Sequence, residues 1–175
     1  MLRRRRSVCE RVGDDRFVVR VGATERDVVG HMLSDLDVMI AGSVDPSAPT
    51  IPPISRLFPP AFTDHDGHDA EYDGEYQRLM RSELVESKRS GIETVRAAFD
   101  SADGDEVVFD TAGLTAFMQS LNSLRLVLGS LLGVTDDVTA SVVDEQMQDS
   151  PEHSLYGWSG WMLEWVVQAL SSPAT

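Results

Sequence analysis

One stretch constrains the fold more than any other: "LTAFMQSLNSLRLVLGSLLG", Leu114 to Gly133. Its apolar residues recur every three or four positions, which is the spacing of one face of an α-helix. Arg125 interrupts this apolar face, on the side of Leu121 and Leu128. Because an unpaired buried guanidinium is costly, we expect a carboxylate to meet it. The candidate partners are Glu83, Glu86 and Glu164. The alternative is a functional arginine at a cleft or an interface.

The other periodic segments predict a mainly α fold, a helical bundle of about four main helices with a small N-terminal β-hairpin. The hairpin occupies residues 7–21 around the turn signal "GDD", and "VVF" at 107–109 is a candidate third strand. The helices are expected from Thr24, as N-cap, to Gly42, from Glu75 to Phe99, from an Asp110 or Thr111 cap to Leu132, and from about Ser154 to Leu170.

The spacing also predicts which side of each helix is buried. The expected buried positions are Val28, Met32, Leu36 and Met39 or Ile40 in the first helix; Tyr76, Leu79, Met80, Leu84, Ile92, Val95 and Phe99 in the second; and Leu114, Phe117, Leu121, Leu124, Leu128, Leu131 and Leu132 in the third.

Residues 1–175 are expected to form a single domain that contains a proline-rich, acidic and partly flexible insertion at 43–73. Within this insertion the apolar piece "ISRLFPPAF" is expected to dock on the core. The piece "TDHDGHDAEYDG" has the composition of a mobile acidic loop.

The net charge of −14 argues against a nucleic-acid groove spread over the surface, because phosphates would be repelled. The run Arg3, Arg4, Arg5 and Arg6 is the one local exception: it could contact phosphate, and the alternative is a solvated chain end.

The sequence has no apolar run of about 18 residues and no secretory signal, so we expect no membrane contact and a cytoplasmic location.

No catalytic, cofactor-binding or metal-binding set stands out, so a non-enzymatic protein without a cofactor is expected. The segment "DHDGHD", at 64–69, mixes imidazoles and carboxylates, but its setting favours a solvated loop over a metal site. His31 is expected to be a satisfied structural residue of the first helix. The single Cys9 excludes a disulfide within the chain.

Three tryptophans follow helical spacing in the last predicted helix: Trp158, Trp161 and Trp165. This stripe, with Leu155 and Met162 on the same side, favours a core position. The competing interpretation is a docking face for a partner or a second subunit, since tryptophan is enriched in interface hot spots. From this ridge we expect a homodimer.

Four segments together carry a family resemblance: "RLFPPAF", "YQRLMRSELVESKRSGIETV", "VVFDTAGLTAFMQSLNSLRLVLGSLLGV" and "LYGWSGWMLEWVVQAL". They resemble an actinobacterial family long catalogued as a domain of unknown function, whose members are described as transcriptional regulators and one branch of which is named for oxidative-stress responsiveness (AosR-like). The residues of the resemblance that we single out are Asn122, Arg125, Gly129, Trp158, Trp161 and the neighbouring Glu164.

The resemblance implies a regulator of transcription with a link to oxidative stress. Because of the charge, we expect it to act mainly on a protein partner such as a sigma factor or polymerase. Any direct DNA contact would fall on the arginine run at 3–6. The alternative is an adaptor or structural module linked to proteolysis, with no promoter role.

A thiol switch would have to form a disulfide between the Cys9 residue of this chain and another chain, or oxidise Cys9 to a sulfenic acid. The nearby Arg5, Arg6 and Arg11 would lower the pKa of the thiol. An inert Cys9 is the alternative.

Overall fold

The structure, a computed structural model, describes residues 7–43, 52–58, 69–134 and 150–173, and of residues 69–79 it describes the backbone only. The elements in chain order are β1 Cys9–Gly13, β2 Arg16–Arg20, α1 Ala23–Ala41, α2 Pro52–Ser55, α3 Asp69–Asp100, β3 Glu106–Phe109, α4 Thr111–Leu131 and α5 Pro151–Ser171. The prediction of a mainly α fold with four main helices and an N-terminal hairpin is confirmed.

Helix α4 lies at the centre of the fold and contacts all the other main helices, as well as α2, β2 and β3. Its sequence explains this position, because apolar or small residues occupy most of its circumference. The residues of α4 that are buried are Gly113, Leu114, Phe117, Ser120, Leu121, Ser123, Leu124, Val127, Leu128 and Gly129. Each fully buried leucine contributes about 1.5–3 kcal/mol. The predicted apolar face of this helix is confirmed except at Leu131, which is 55% exposed.

The strands form a three-stranded antiparallel sheet in the order β1-β2-β3. In this sheet Phe17 pairs with Phe109, and Val19 pairs with Val107. These four side chains are buried, and Phe109 stacks on Phe117 of α4 with ring centres 5.4 Å apart. The candidate third strand is therefore present, and the sheet packs against α3, α4 and α5.

In α1 and α3 the predicted buried face is confirmed in part, at Leu36, Ile40, Ile92, Val95 and Phe99, and is wrong at other positions. The side chains of Tyr76 and Leu79 lie outside the described residues. Helix α1 buries Val29, Leu33, Leu36 and Ile40, whereas Val28 is 50% exposed. Helix α3 buries Arg81, Val85, Ile92, Val95 and Phe99, whereas Met80 and Leu84 are half-buried. In α3 the error has a physical cause, since an arginine occupies a position that apolar periodicity cannot recognise as inward-facing.

Three helices begin earlier than predicted. Helix α1 follows Gly22 instead of Thr24, and the carboxylate of Glu25 accepts a 2.8 Å hydrogen bond from the Gly22 amide. Helix α5 begins at Pro151 after the cap Ser150. Helix α3 begins at Asp69, so residues 69–74 of the predicted acidic loop are helical. The Asp110 cap of α4 is as expected, and its Oδ1 accepts a 2.6 Å hydrogen bond from the Gly113 amide.

Part of the predicted insertion is anchored to the core. Ile54, Leu57 and Phe58 are buried, which agrees with the expected docking of "ISRLFPPAF" in its described portion. Phe58 lies under the guanidinium of Arg81, 4.0 Å from the ring centre, and the Nε of Arg81 donates a 2.9 Å hydrogen bond to the Ser43 carbonyl. Burial lowers the pKa of Arg81. Arg81 thus joins the end of α1 to α2 and α3.

Candidate functional site

Arg125 lies where α4 meets α5, and its side chain is half-buried there. Its guanidinium carbon is 4.8 Å from the ring centre of Tyr156. The Nε atom is buried and has no hydrogen-bond partner among the described residues. A cation over an aromatic ring contributes about 0.5–2 kcal/mol, depending on how far it is desolvated.

The predicted ion pair of Arg125 with Glu83, Glu86 or Glu164 is wrong for the described residues, where Arg125 pairs with no acid. All three acids are exposed. The cause lies in α5, where Gly160 has no side chain to hold Arg125 away. A Cβ atom at Gly160 would lie 3.3 Å from the Nε of Arg125. The guanidinium therefore extends to Tyr156, one turn before Gly160, and not to Glu164, one turn after it.

Gly129 allows the same two helices to approach closely. It is buried, and a Cβ atom there would lie 3.3 Å from Cε2 of Tyr156. Tyr156 is thus held between the backbone of α4 at Gly129 and the guanidinium of Arg125. In this region, the segment that carries the resemblance packs α4 against α5. Asn122 is separate from it, since it is exposed and lines a cavity between α2, α3 and α4.

The tryptophans are not the core stripe that their spacing favoured. The residues of α5 that are buried are Leu155, Ser159, Met162, Val166 and Ala169. Trp158 and Trp165 are half-buried at the margins of this face, and Trp161 is 46% exposed. Leu155 and Met162 therefore supply the core contacts, while the indole rings cover its edges and reach solvent.

One of these tryptophans borders an apolar groove between α1 and α5, which we call the Trp158 groove. Its walls include Val28, Val29, Leu155 and Trp158, and Glu25 stands at its margin. The groove has a volume of about 330 Å³. Its surface is largely apolar, in a protein that has 29 acidic residues. The error in the predicted face of α1 is the reason that this surface was missed, because Val28 was assigned to the core.

Cys9 is buried in β1, with 4% of its surface exposed. Burial, with a smaller contribution from the charge of Glu10, raises the pKa of the Cys9 thiol to about 12. The expected lowering of this pKa by arginines is not found. Arg11 is engaged elsewhere, because its guanidinium lies 4.5 Å from the ring centre of Phe17 and donates a hydrogen bond to the Asp14 carbonyl. A protonated, buried thiol is a poor nucleophile.

The remaining candidates give no catalytic arrangement among the described residues. His31 is a surface residue, with 80% of its side chain exposed and Nε2 4.0 Å from Asp35, and not the satisfied structural residue expected. The described part of the chain holds no group of three or more potential metal ligands. The run Arg3 to Arg6 and most of "DHDGHD" lie outside the described residues. None of the described helices has the length and apolar character required to cross a membrane.

Sequence reasoning also missed the two basic residues of the inward face of α3, Arg81 and Lys88. Val85, Ile92, Val95 and Phe99 are buried at intervals of seven, three and four residues. Arg81 lies four residues before Val85, and Lys88 lies between Val85 and Ile92, three residues after the one and four before the other. The same register therefore places both on this face, so a heptad count could have found them. Lys88 is half-buried, and burial lowers the pKa of its ammonium group.

Comparison with known proteins gives a family but no function. No curated protein and no solved structure matches the chain. The sequence model of a family described as a domain of unknown function, DUF2017, matches residues 5–170. This range runs from before β1 to the last residue but one of α5, so it covers the whole arrangement described above. The chain belongs to the DUF2017 family.

Proposed function

We propose that the chain is a cytoplasmic, non-enzymatic regulatory protein that acts by binding another protein through the Trp158 groove. The observation that carries the proposal is an apolar groove bordered by Trp158 and a half-exposed Val28 on an otherwise acid-rich chain. Tryptophan is among the residues that most often dominate binding energy at protein interfaces, and apolar surface gathered in a groove is typical of docking sites. Trp161, one turn along α5, extends the same helix surface.

The charges at the groove specify the kind of partner. Glu25 lines the groove, and Glu152 is exposed next to the lining residue Pro151. The net charge of the chain is −14. A partner segment with one apolar anchor flanked by basic residues would complement both the apolar walls and the acidic margin.

Transcription is the setting that we propose for this contact, on the basis of the family resemblance described above. The suggested partners are a sigma factor or another subunit of RNA polymerase, with oxidative stress as the stimulus. The burial of Cys9 argues that any redox response does not begin with direct oxidation of its thiol in the folded chain. The proposed homodimer would use the exposed tryptophan surface of α5.

The test measures binding of the purified chain to RNA polymerase core and to individual sigma factors, with Trp158→Ala as the diagnostic variant. Loss of a hot-spot tryptophan should weaken binding at least tenfold, which is about 1.4 kcal/mol. Val38→Ala is the matched control, since Val38 is 71% exposed at the other end of α1, away from the groove. Equal effects of the two substitutions would refute the assignment of the groove.

Two further measurements separate the competing functions. A shift of promoter DNA by the purified chain, with a steep dependence on salt, would replace the protein-partner proposal by direct DNA binding. Specific binding to a protease or its adaptor, with none to polymerase or sigma factor, would favour the adaptor alternative. Sedimentation at two concentrations, for the wild-type chain and for Trp161→Ala, tests the proposed dimer.

A further inference from the structure

A second cavity lies between α2, α3 and α4 and has a volume of about 420 Å³. We call it the Lys88 cavity, and the residues that define it are Arg56, Leu84, Lys88, Ser120, Asn122 and Ser123. It exists because small residues stand where α3 faces α4. A Cβ atom at Gly91 would be in ordinary van der Waals contact with α4, 3.8 Å from the Oγ of Ser120. Gly91 itself lines the cavity, so a larger side chain there would extend into it.

The charge of the Lys88 cavity is opposite to that of the chain. Its lining contains two cationic side chains and no carboxylate. Four other cavities in the described part of the chain are each lined by at least one carboxylate. The sequence has 29 acidic residues and 15 lysines and arginines. A local excess of positive charge is unusual in such a chain, and its electrostatic potential favours binding of a negatively charged ligand in this cavity.

Lys88 is the only lysine in the sequence, and it is half-buried at the cavity. Its Nζ lies 6.0 Å from the ring centre of Phe58, and among the described residues it forms no ion pair. Burying a cation without a counter-charge costs free energy, which is why burial lowers the pKa of this group. An anion bound in the cavity would supply the missing counter-charge.

Neutral hydrogen-bond donors face the same space. Ser120 and Ser123 are 4% and 5% exposed, and neither hydroxyl makes a hydrogen bond to the described protein atoms, whereas Ser34 and Thr94 bond to the carbonyl four residues before them. Neither hydroxyl oxygen is fully enclosed, so each can bond to a ligand in the cavity that both residues line. The side wall includes Leu84, so a ligand with only polar atoms would leave apolar surface uncovered.

We propose that the Lys88 cavity binds a small organic anion, with one carboxylate or phosphate group and a short apolar body. The anionic group accepts hydrogen bonds from Lys88 and from the hydroxyls of Ser120 and Ser123, while the apolar body lies against Leu84. Arg56 also lines the cavity, and its guanidinium donates a 3.1 Å hydrogen bond to the Val134 carbonyl, after the end of α4. This site is separate from the Trp158 groove and does not depend on the proposed protein contact.

Calorimetric titration of the full chain with four probes tests the chemical class: hexanoate, hexyl phosphate, hexanol and inorganic phosphate. We expect one of the two amphiphilic anions to bind at least tenfold more tightly than hexanol and inorganic phosphate. The preferred anion then identifies the head group. Equal binding of hexanol would refute the role of charge, and equal binding of inorganic phosphate would refute the role of the apolar wall. No binding of any probe at millimolar concentration would overturn the proposal.

Variants locate the site. Lys88→Met removes the charge and keeps the length of the side chain, and we expect it to raise the Kd of the preferred anion at least tenfold. Gly91→Leu fills the cavity and should abolish binding. Arg96→Met is the matched control, because Arg96 is an exposed cation on the same helix outside this cavity. Tryptophan fluorescence and helical circular dichroism report whether each variant is folded. If folded Lys88→Met and Gly91→Leu bind as the wild-type chain does, the site is refuted.

Discussion

The contact of α4 with α5 at Gly129 can be tested by adding a single methyl group. The substitution Gly129→Ala places a Cβ atom 3.3 Å from Cε2 of Tyr156, closer than ordinary van der Waals contact between carbon atoms. The matched substitution is Gly157→Ala in α5, where a Cβ atom would meet nothing within 4 Å. Both change glycine to alanine within a helix, so they differ mainly in what the methyl group meets.

The two substitutions should have opposite signs. Alanine is favoured over glycine inside a helix by about 1 kcal/mol, and Gly157→Ala should gain that amount. Gly129→Ala gains less, because it lies in the last turn of α4, and the methyl group overpacks the interface at a cost of about 1–3 kcal/mol. We expect a net loss of up to about 2 kcal/mol. For a chain of this size, 1 kcal/mol shifts Tm by about 2–4 °C.

Urea unfolding followed by tryptophan fluorescence measures both effects, since all three tryptophans lie on α5. In a Tyr156→Ala background the ring is absent, and Gly129→Ala should then be neutral or stabilising, so a double-mutant cycle isolates the contact. If Gly129→Ala raised stability as much as Gly157→Ala in the wild-type background, the close approach of α4 and α5 at this position would be refuted.

Three other predictions follow from the packing. Arg125→Met should change the free energy of unfolding by less than about 1 kcal/mol in urea titrations, because the lost contact with Tyr156 is offset by removal of an unpaired buried donor; a loss of several kcal/mol would show an ion pair. Burial raises the pKa of the Cys9 thiol from 9.0 in the unfolded chain to about 12 in the folded chain. The free energy of unfolding therefore has its full Cys9 contribution below pH 9. It falls by about 1.4 kcal/mol per pH unit between pH 9 and pH 12. Cys9→Ala should lack that slope, and equal slopes would contradict the burial of the thiol. Asp110→Ala removes the acceptor of the Gly113 amide and should cost about 1 kcal/mol in thermal melting, whereas no loss would show that the α4 cap is unimportant.

The sequence predicted α4 well because its pattern is strong and continuous. Apolar residues cover a wide arc of this helix, so a small error of phase leaves the same leucines buried. Helix α1 has a narrower apolar stripe, and shifting it by one residue exchanged Val28 for Val29. Local spacing thus identified the elements, while the exact buried face depended on which neighbours each helix meets.

The candidate sites were less predictable, because they depend on contacts between helices. Nothing near Arg125 in sequence indicates that Gly160 and Tyr156 lie opposite it and that Glu164 does not. The Lys88 cavity likewise requires the small residues of α3 and α4 to face one another. From sequence alone, a lysine within an acid-rich helix is assigned to a solvated face. Only the position of α4 beside α3 shows that this lysine lines a cavity.

The sheet imposes an order of events on the growing chain. Strand β2 makes its second set of backbone hydrogen bonds with β3, and the pairing of Phe17 with Phe109 spans more than half of the sequence. An isolated two-stranded hairpin is at best marginally stable in water. At synthesis rates of about 5–20 residues per second, β2 waits on the order of ten seconds with one edge unpaired. The sheet can therefore be completed only after β3 has left the ribosome.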